Sequence, residues 1–490
     1  MMKQLPFFFF LVFLFATPAS ADGALPDDFD LMIETDMKRW HAPGLGLAIV
    51  KDGKTILAKG YGVKSFKTNA PVDERTVFQA GSTTKAFASM ALAMLIDEGK
   101  VAWDDPIIKH IPEFRMGNRY VQDSITIRDA LRHSSGVAQI SNINMFLGES
   151  LPTAWEMMAD IGQQASFRNN WDYNNTTFGL SGLVVEKVTG QDFHEFVRDR
   201  ILTPLGMDDT LMLDDEVRNA GNRAEAHQYF DGKDYEIGYP YIEFSQSAGM
   251  MNSTPSDMAN WIEFLLAGGV WNGERLVSES LINEMMSPQI LLEPASIYPA
   301  AASYSHNYYA YGLAWFAHDY KGHKVAMHTG SINGMSAIVG LIPDENIGVY
   351  VFINSDHIEY RHALMYKVFD FLLGNPEEDW SQKLYAVYHP EAAASDAAPE
   401  THPDVSPEAL AGTYALSGSF PLIIKQDGVS LIASLGTGKV ELQKQADNAY
   451  LVIDPDTAHI PSQNVLGIEL DSDGKVTGVR LSGLNFKREE

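Results

Sequence analysis

Gly81-Ser82-Thr83-Thr84-Lys85 runs without a break into Ala86-Phe87-Ala88-Ser89-Met90-Ala91-Leu92-Ala93-Met94-Leu95-Ile96, and this stretch decides how the rest of the chain is read. Its second part is apolar on nearly every side, which predicts a buried helix over Thr84 to Glu98. Ser82 and Lys85, three residues apart, then share one helical face about one turn from each other. A serine hydroxyl is a weak nucleophile at neutral pH and needs a base beside it. A lysine can serve once burial or cationic neighbours lower its pKa, and a buried helix supplies the desolvation. Taken alone the pattern is common, and a helix-capping serine ahead of an ordinary lysine is the better explanation of it.

On either side of that helix the chain organises into two strand sets with helices between them. Gly44 to Val50, the Asp52-Gly53 turn and Thr55 to Tyr61 read as a hairpin. Val325 to His328, Met335 to Ile342 and Ile347 to Asn354 read as three more strands, with Pro343-Asp344-Glu345-Asn346 turning between the last two. Ile127 to His133, Thr177 to Thr189, Phe193 to Ile201, Ser256 to Leu266, Ser278 to Met286 and Tyr360 to Leu373 carry helical patterns. The expected fold class is α+β: an antiparallel sheet completed by both ends of the domain and flanked by helices, plus a helical subdomain.

The ends differ in texture. Lys3 precedes an unbroken apolar run, Phe7 to Ala16, and Ala19-Ser20-Ala21 has the small-x-small form of a cleavage site. Residues 1–21 are therefore expected to be a secretory signal peptide. The run is shorter than the roughly 20 residues a spanning helix needs, and no cysteine is present to take a lipid anchor. A catalytic domain over 22–375 is expected to give way to a small, polar, Pro-containing linker over 376–404. Residues 405–490 show short alternating runs separated by turns such as Asp427-Gly428 and Asp473-Gly474, which predicts a C-terminal all-β domain, a small barrel or a sandwich.

Composition narrows the chemistry. The formal charge of -28 over 490 residues makes nucleic acid and anionic lipid poor partners. The absence of cysteine removes disulfides, zinc-cysteine sites, iron-sulfur clusters and thiol catalysis together. There is no His-Glu-x-x-His and no Gly-x-Ser-x-Gly elbow. Ala433 to Val440 only hints at a phosphate loop and reads better as a hairpin turn.

Two further elements bear on Ser82 and Lys85. Trp171-Asp172-Tyr173-Asn174-Asn175 places Tyr-x-Asn ahead of an apolar helix. A phenol beside a lysine can relay the serine proton to a leaving group, and an amide can orient lysine and substrate. His328-Thr329-Gly330-Ser331 ends a predicted strand, where glycine lets a substrate lie along the edge. The backbone N–H groups of Ser82 and Ser331 would form an oxyanion hole. Each element alone has a bland structural explanation.

In this order, and with these strands and helices around them, the three elements resemble the serine β-lactamase and penicillin-binding-protein superfamily, in particular its class C and DD-peptidase-like branch, serine peptidase family S12. Leu131 to Gly136, Pro204-Leu205-Gly206-Met207, Ala248-Gly249-Met250 and Tyr311 to Trp315 agree as landmarks. The resemblance covers about residues 30 to 375 and implies a β-lactamase/transpeptidase-like fold. It also implies that Ser82 is the acylated nucleophile, Lys85 the general base, Tyr173 a second acid/base and Asn175 an orienting amide, with His328, Thr329, Gly330 and Ser331 binding substrate. His328 stands where many relatives carry lysine. A histidine is mostly neutral at pH 7, so strong β-lactamase activity is less expected.

The expected reaction is acyl transfer through a covalent ester, with no cofactor and no metal. The expected partner is a small-molecule or short-peptide substrate, peptidoglycan-derived among the options: a D-amino-acid peptide, a small ester or a β-lactam-like amide. The alternative is a slowly deacylating penicillin-binding or wall-sensing protein with little turnover. Tyr304, Tyr308, Tyr309 and Tyr311 either form an apolar lip at the site or pack against the helical subdomain.

Overall fold

A computed structural model describes residues 24–137, 159, 163, 165–230, 233–239, 246–293, 297–375, 378–389, 405–416, 421–428, 430–435, 438–446, 449–453, 465–481 and 484–489. The expected leader lies outside the described residues.

Alternation along the central strands builds the sheet. Gly44–Lys51 pairs with Lys54–Gly62 on one side and with Ile347–Ile353 on the other, all antiparallel. The sheet continues through Met335–Ile342, His323–Ile332, Phe316–Tyr320 and Tyr309–Tyr311 to Ile290–Leu291, eight strands in all. The early hairpin is thus completed by late strands, as the pattern predicts. Met335–Ile342 and Ile347–Ile353 are buried along their whole length, so both faces of the sheet are covered.

Successive residues of one strand go to different layers. Ala48, Val50, Val339, Leu341, Tyr350 and Phe352 pack in a core with Met258, Trp261 and Ile262 of the Pro255–Leu266 helix and with the buried Lys85–Asp97 helix. Leu47, Ile49, Ile338, Val349 and Val351 pack on the opposite face with Phe29 and Ile33 from Phe29–Arg39, Leu364 and Val368 from Tyr360–Leu373, and Trp380. Each large apolar side chain fully buried this way contributes about 1.5–3 kcal/mol.

Two expectations need correction. The His323–Ile332 strand is longer than the expected Val325 to His328, and it carries all of His328-Thr329-Gly330-Ser331 within it. Part of the expected 376–404 linker is a helix, Trp380–Tyr388. Trp380 is fully buried and its indole N–H donates to Asp370 at 2.9 Å. Its aromatic character outweighs the small, polar residues that follow it.

In the C-terminal part, the six expected strands are joined by Gly412–Ala415 and Leu484–Arg488, and the eight close into a barrel through pairing of Tyr414 with Arg488. Leu435 opposite Gly438 makes the expected hairpin in place of a phosphate loop.

Candidate active site

Ser82 lies on a single turn of 3-10 helix, Gly81–Thr84, which feeds directly into Lys85–Asp97. Side chains of the turn hold its shape. Thr83 donates to the Ala80 carbonyl at 2.8 Å, Thr84 donates to the Gly81 carbonyl at 2.6 Å, and Thr84 accepts from the Met251 N–H at 3.2 Å. Ser82 itself remains partly exposed.

Lys85 is fully buried at the head of a helix whose next ten residues are also buried. Its Nζ donates to Asn175 Oδ1 at 2.6 Å and to the Ala248 carbonyl at 2.8 Å, and lies 3.0 Å from Ser82 Oγ. The Tyr173 and Phe178 rings stand 4.8 and 5.2 Å from it. None of these contacts is a carboxylate, and burial holds the amine well below the ordinary lysine range. An uncharged amine fits this set. Its two N–H bonds meet the two oxygens that can only accept, which leaves the lone pair for the Ser82 hydroxyl proton.

Tyr173 sits in the loop before the Asn175–Thr189 helix, which Asn174 caps by accepting from the Thr177 N–H at 2.9 Å. Tyr173 is half-buried and hydrogen-bonded to Ser82, and desolvation pushes its phenol above the usual range, so it keeps its proton. The loop is tied to His133, a residue with φ +58°. The His133 carbonyl accepts from the Asp172 N–H at 2.9 Å and its Nδ1 accepts from the Asn174 N–H at 3.1 Å. Its ring lies 4.3 Å from that of Tyr173. The amide fixes the tautomer with the proton on Nε2.

The opposite wall is the end of the His323–Ile332 strand. A Cβ on Gly330 would fall 1.9 Å from the Ala80 carbonyl oxygen and 3.2 Å from the Ser82 nitrogen, and one on Gly81 would fall 2.8 Å from the Ser331 nitrogen. Only glycine lets strand and turn approach this closely, and the approach brings the backbone of Ser82 and Ser331 together. His328 is buried; its Nδ1 donates to the Thr329 carbonyl at 2.6 Å, so its Nε2 accepts from the Tyr311 hydroxyl at 2.8 Å. Burial, the main cause, pushes the imidazole down to about 3, so it is neutral. The Thr329 hydroxyl is paired with that of Tyr298.

Ser82, Lys85, Tyr173 and Asn175 are thus brought into one cluster. His328, Thr329, Gly330 and Ser331 lie on the strand beside the Ser82 turn. Sequence reasoning missed what holds that strand. Arg361, 2% exposed, donates to the Gly330 carbonyl at 2.5 Å and to Ser331 Oγ at 2.7 Å, while its other end pairs with Glu359 at 2.7 Å. Glu359 also meets His362. No spacing signals this group, because Gly330 and Ser331 lie about thirty residues upstream; Tyr298 carries no signal either. Tyr309 and Tyr311 are buried and form no lip; Tyr311 packs on His133 and Trp171, the second of the two expected arrangements, while Tyr304 packs edge-on to Tyr320 and Trp380. Among the described residues, Asp192, His194 and Glu195 are close enough together to hold a metal ion, and none of them belongs to this cluster.

A family model for beta-lactamase matches residues 29–371. Protein flp of Staphylococcus aureus (strain MW2) is 27% identical over 337 residues, which is 67% of this chain and 63% of that protein. The unguisins hydrolase ungD of Aspergillus violaceofuscus is 26% identical over 393 residues, 75% of this chain and 69% of that one. The octameric penicillin-binding protein homologue from Pyrococcus abyssi shares the fold, with a TM-score of 0.63 at 21% identity over 93% of this chain and 98% of that one. The match to the flp proteins spans a little under two thirds of their length.

Proposed function

The chain belongs to the beta-lactamase family, and on that premise we propose that it is an exported serine hydrolase working through a Ser-Lys-Tyr acyl-enzyme on a small ester, a D-amino-acid peptide or a β-lactam-like amide. One observation carries the reading. Lys85 Nζ lies 3.0 Å from Ser82 Oγ with both of its N–H bonds spent on neutral acceptors. A buried, uncharged amine so placed is a general base for that hydroxyl.

In this scheme Ser82 Oγ attacks the substrate carbonyl as Lys85 takes its proton. The oxygen of the tetrahedral intermediate accepts from the Ser82 and Ser331 N–H groups. Tyr173, kept protonated by burial, hands a proton to the leaving oxygen or nitrogen and is recharged through Lys85. Water then attacks the ester with the same groups acting in reverse. Asn175 and the Ala248 carbonyl hold the amine in line throughout. Export rests on the apolar run from Phe7 to Ala16 and the small residues at Ala19 and Ala21. No helix among the described residues is long and apolar enough to cross a membrane.

The test is turnover of p-nitrophenyl butyrate, a fluorescent penicillin and a D-Ala-D-Ala peptide by the protein and by Ser82→Ala. Turnover that disappears in the variant supports the reading. A stable stoichiometric adduct on Ser82 without turnover favours the slowly deacylating alternative. Turnover that survives in Ser82→Ala overturns both.

A further inference from the structure

The basic side chains at the site are already committed. Apart from Lys3, every lysine and arginine of the chain falls within the described residues, and Lys85 and Arg361 are basic side chains that contact this cluster. Lys85 is buried and spends its N–H bonds on Asn175 and Ala248. Arg361 is neutralised by Glu359 and directs its remaining donors to Gly330 and Ser331. His328 is locked between the Thr329 carbonyl and the Tyr311 hydroxyl, with its acceptor nitrogen facing the phenol.

What remains free on this wall is uncharged. Ser331 accepts from Arg361 and so keeps its own proton to donate. The Tyr298–Thr329 hydroxyl pair shares one proton and has one left over. Such donors suit carbonyl, ether or amide oxygens. A carboxylate brought here would leave water without gaining a cation, which is unfavourable unless it is paired. The overall charge of -28 adds repulsion at longer range.

We propose that this site selects substrates whose leaving part carries no carboxylate, that is, neutral esters or amides, over peptides or lactams that present a free carboxylate beside the scissile bond. The inference rests on the serine-hydrolase reading above and narrows its substrate class. It depends on the occupied partners of His328, Thr329, Ser331 and Arg361.

The experiment uses the full chain and two aryl esters, 4-carboxyphenyl butyrate and its methyl ester, 4-(methoxycarbonyl)phenyl butyrate. Each kcat/KM is normalised to the rate of that ester with hydroxide. The carboxylate ester is expected to be at least about tenfold the poorer substrate. Its kcat/KM is expected to rise with added salt, because salt screens repulsion where no cation attracts. Equal turnover of the two esters, or a kcat/KM for the carboxylate that falls with salt, overturns the inference while leaving the hydrolase reading intact. Failure to turn over either ester, together with no labelling of Ser82 by a fluorophosphonate, removes the hydrolase reading itself and this inference with it.

Discussion

Arg361 Nη1 donates to the carbonyl oxygen of Gly330 at 2.5 Å, and so grips the peptide whose N–H, that of Ser331, is the proposed oxyanion donor. A cation on the carbonyl side of a peptide polarises it and fixes the direction of its N–H. Both effects matter most when charge develops on the substrate oxygen.

Replacing Arg361 by Gln is therefore expected to lower kcat by about ten- to a hundredfold with little change in KM, a smaller effect than outright loss of an oxyanion donor. The same variant leaves Glu359 buried without its guanidinium, at a cost on the order of 3–5 kcal/mol. Steady-state kinetics and urea midpoints separate the two. A change confined to KM, or to stability alone, contradicts the positioning role.

Buried histidines tie stability to pH. His328 and His318 are each pushed down to about 3, mainly by burial. An unfolded histidine has its ordinary value of about 6.5. The unfolded chain then takes up protons that the folded chain refuses. Their stabilisation is complete above about pH 6.5 and is lost as pH falls toward 3. Between about pH 6.5 and 5, His328 alone accounts for about 2 kcal/mol of this loss. Urea midpoints at about pH 7 and pH 5 are expected to diverge less in His328→Gln by that amount. An identical pH dependence in protein and variant contradicts the assignment of a neutral His328.

Trp380 ties the Trp380–Tyr388 helix to the Tyr360–Leu373 helix. Its indole packs against Tyr304 and Tyr366 while its N–H is tied to Asp370. Trp380→Ala is expected to cost about 3–5 kcal/mol in denaturant stability. A cost under about 0.5 kcal/mol, ordinary for a surface position, contradicts the packing role.

Much of this was legible in residue order. The all-round apolar helix after Lys85 identified a lysine with no water to stabilise its charge, and the three polar elements pointed to one place. The central strands of the sheet could be read because β-branched and aliphatic residues fill both faces. Tyr309–Tyr311 and Phe316–Tyr320 escaped notice because they are short and aromatic, with no alternation long enough to register. Trp380–Tyr388 was masked by the Ala-, Asp- and Pro-containing stretch that follows. Arg361 and Glu359 could not be found from spacing, since a buried ion pair that braces a distant peptide leaves no local period. His133 looked like a landmark only; its role comes from a left-handed backbone that directs its carbonyl and its ring toward the Tyr173 loop.

The central claim is that an uncharged Lys85 activates Ser82, and the pH dependence of the acylation rate tests it most directly. The burst of p-nitrophenol from p-nitrophenyl butyrate reports Ser82 acylation by the wild-type chain, with Ser82→Ala as the blank. The expected profile is level through neutral and alkaline pH, with an acid limb well below the ordinary lysine value of about 10.4. A rate that keeps climbing until about pH 10.4 would mean that Lys85 is charged at neutrality and would contradict the claim.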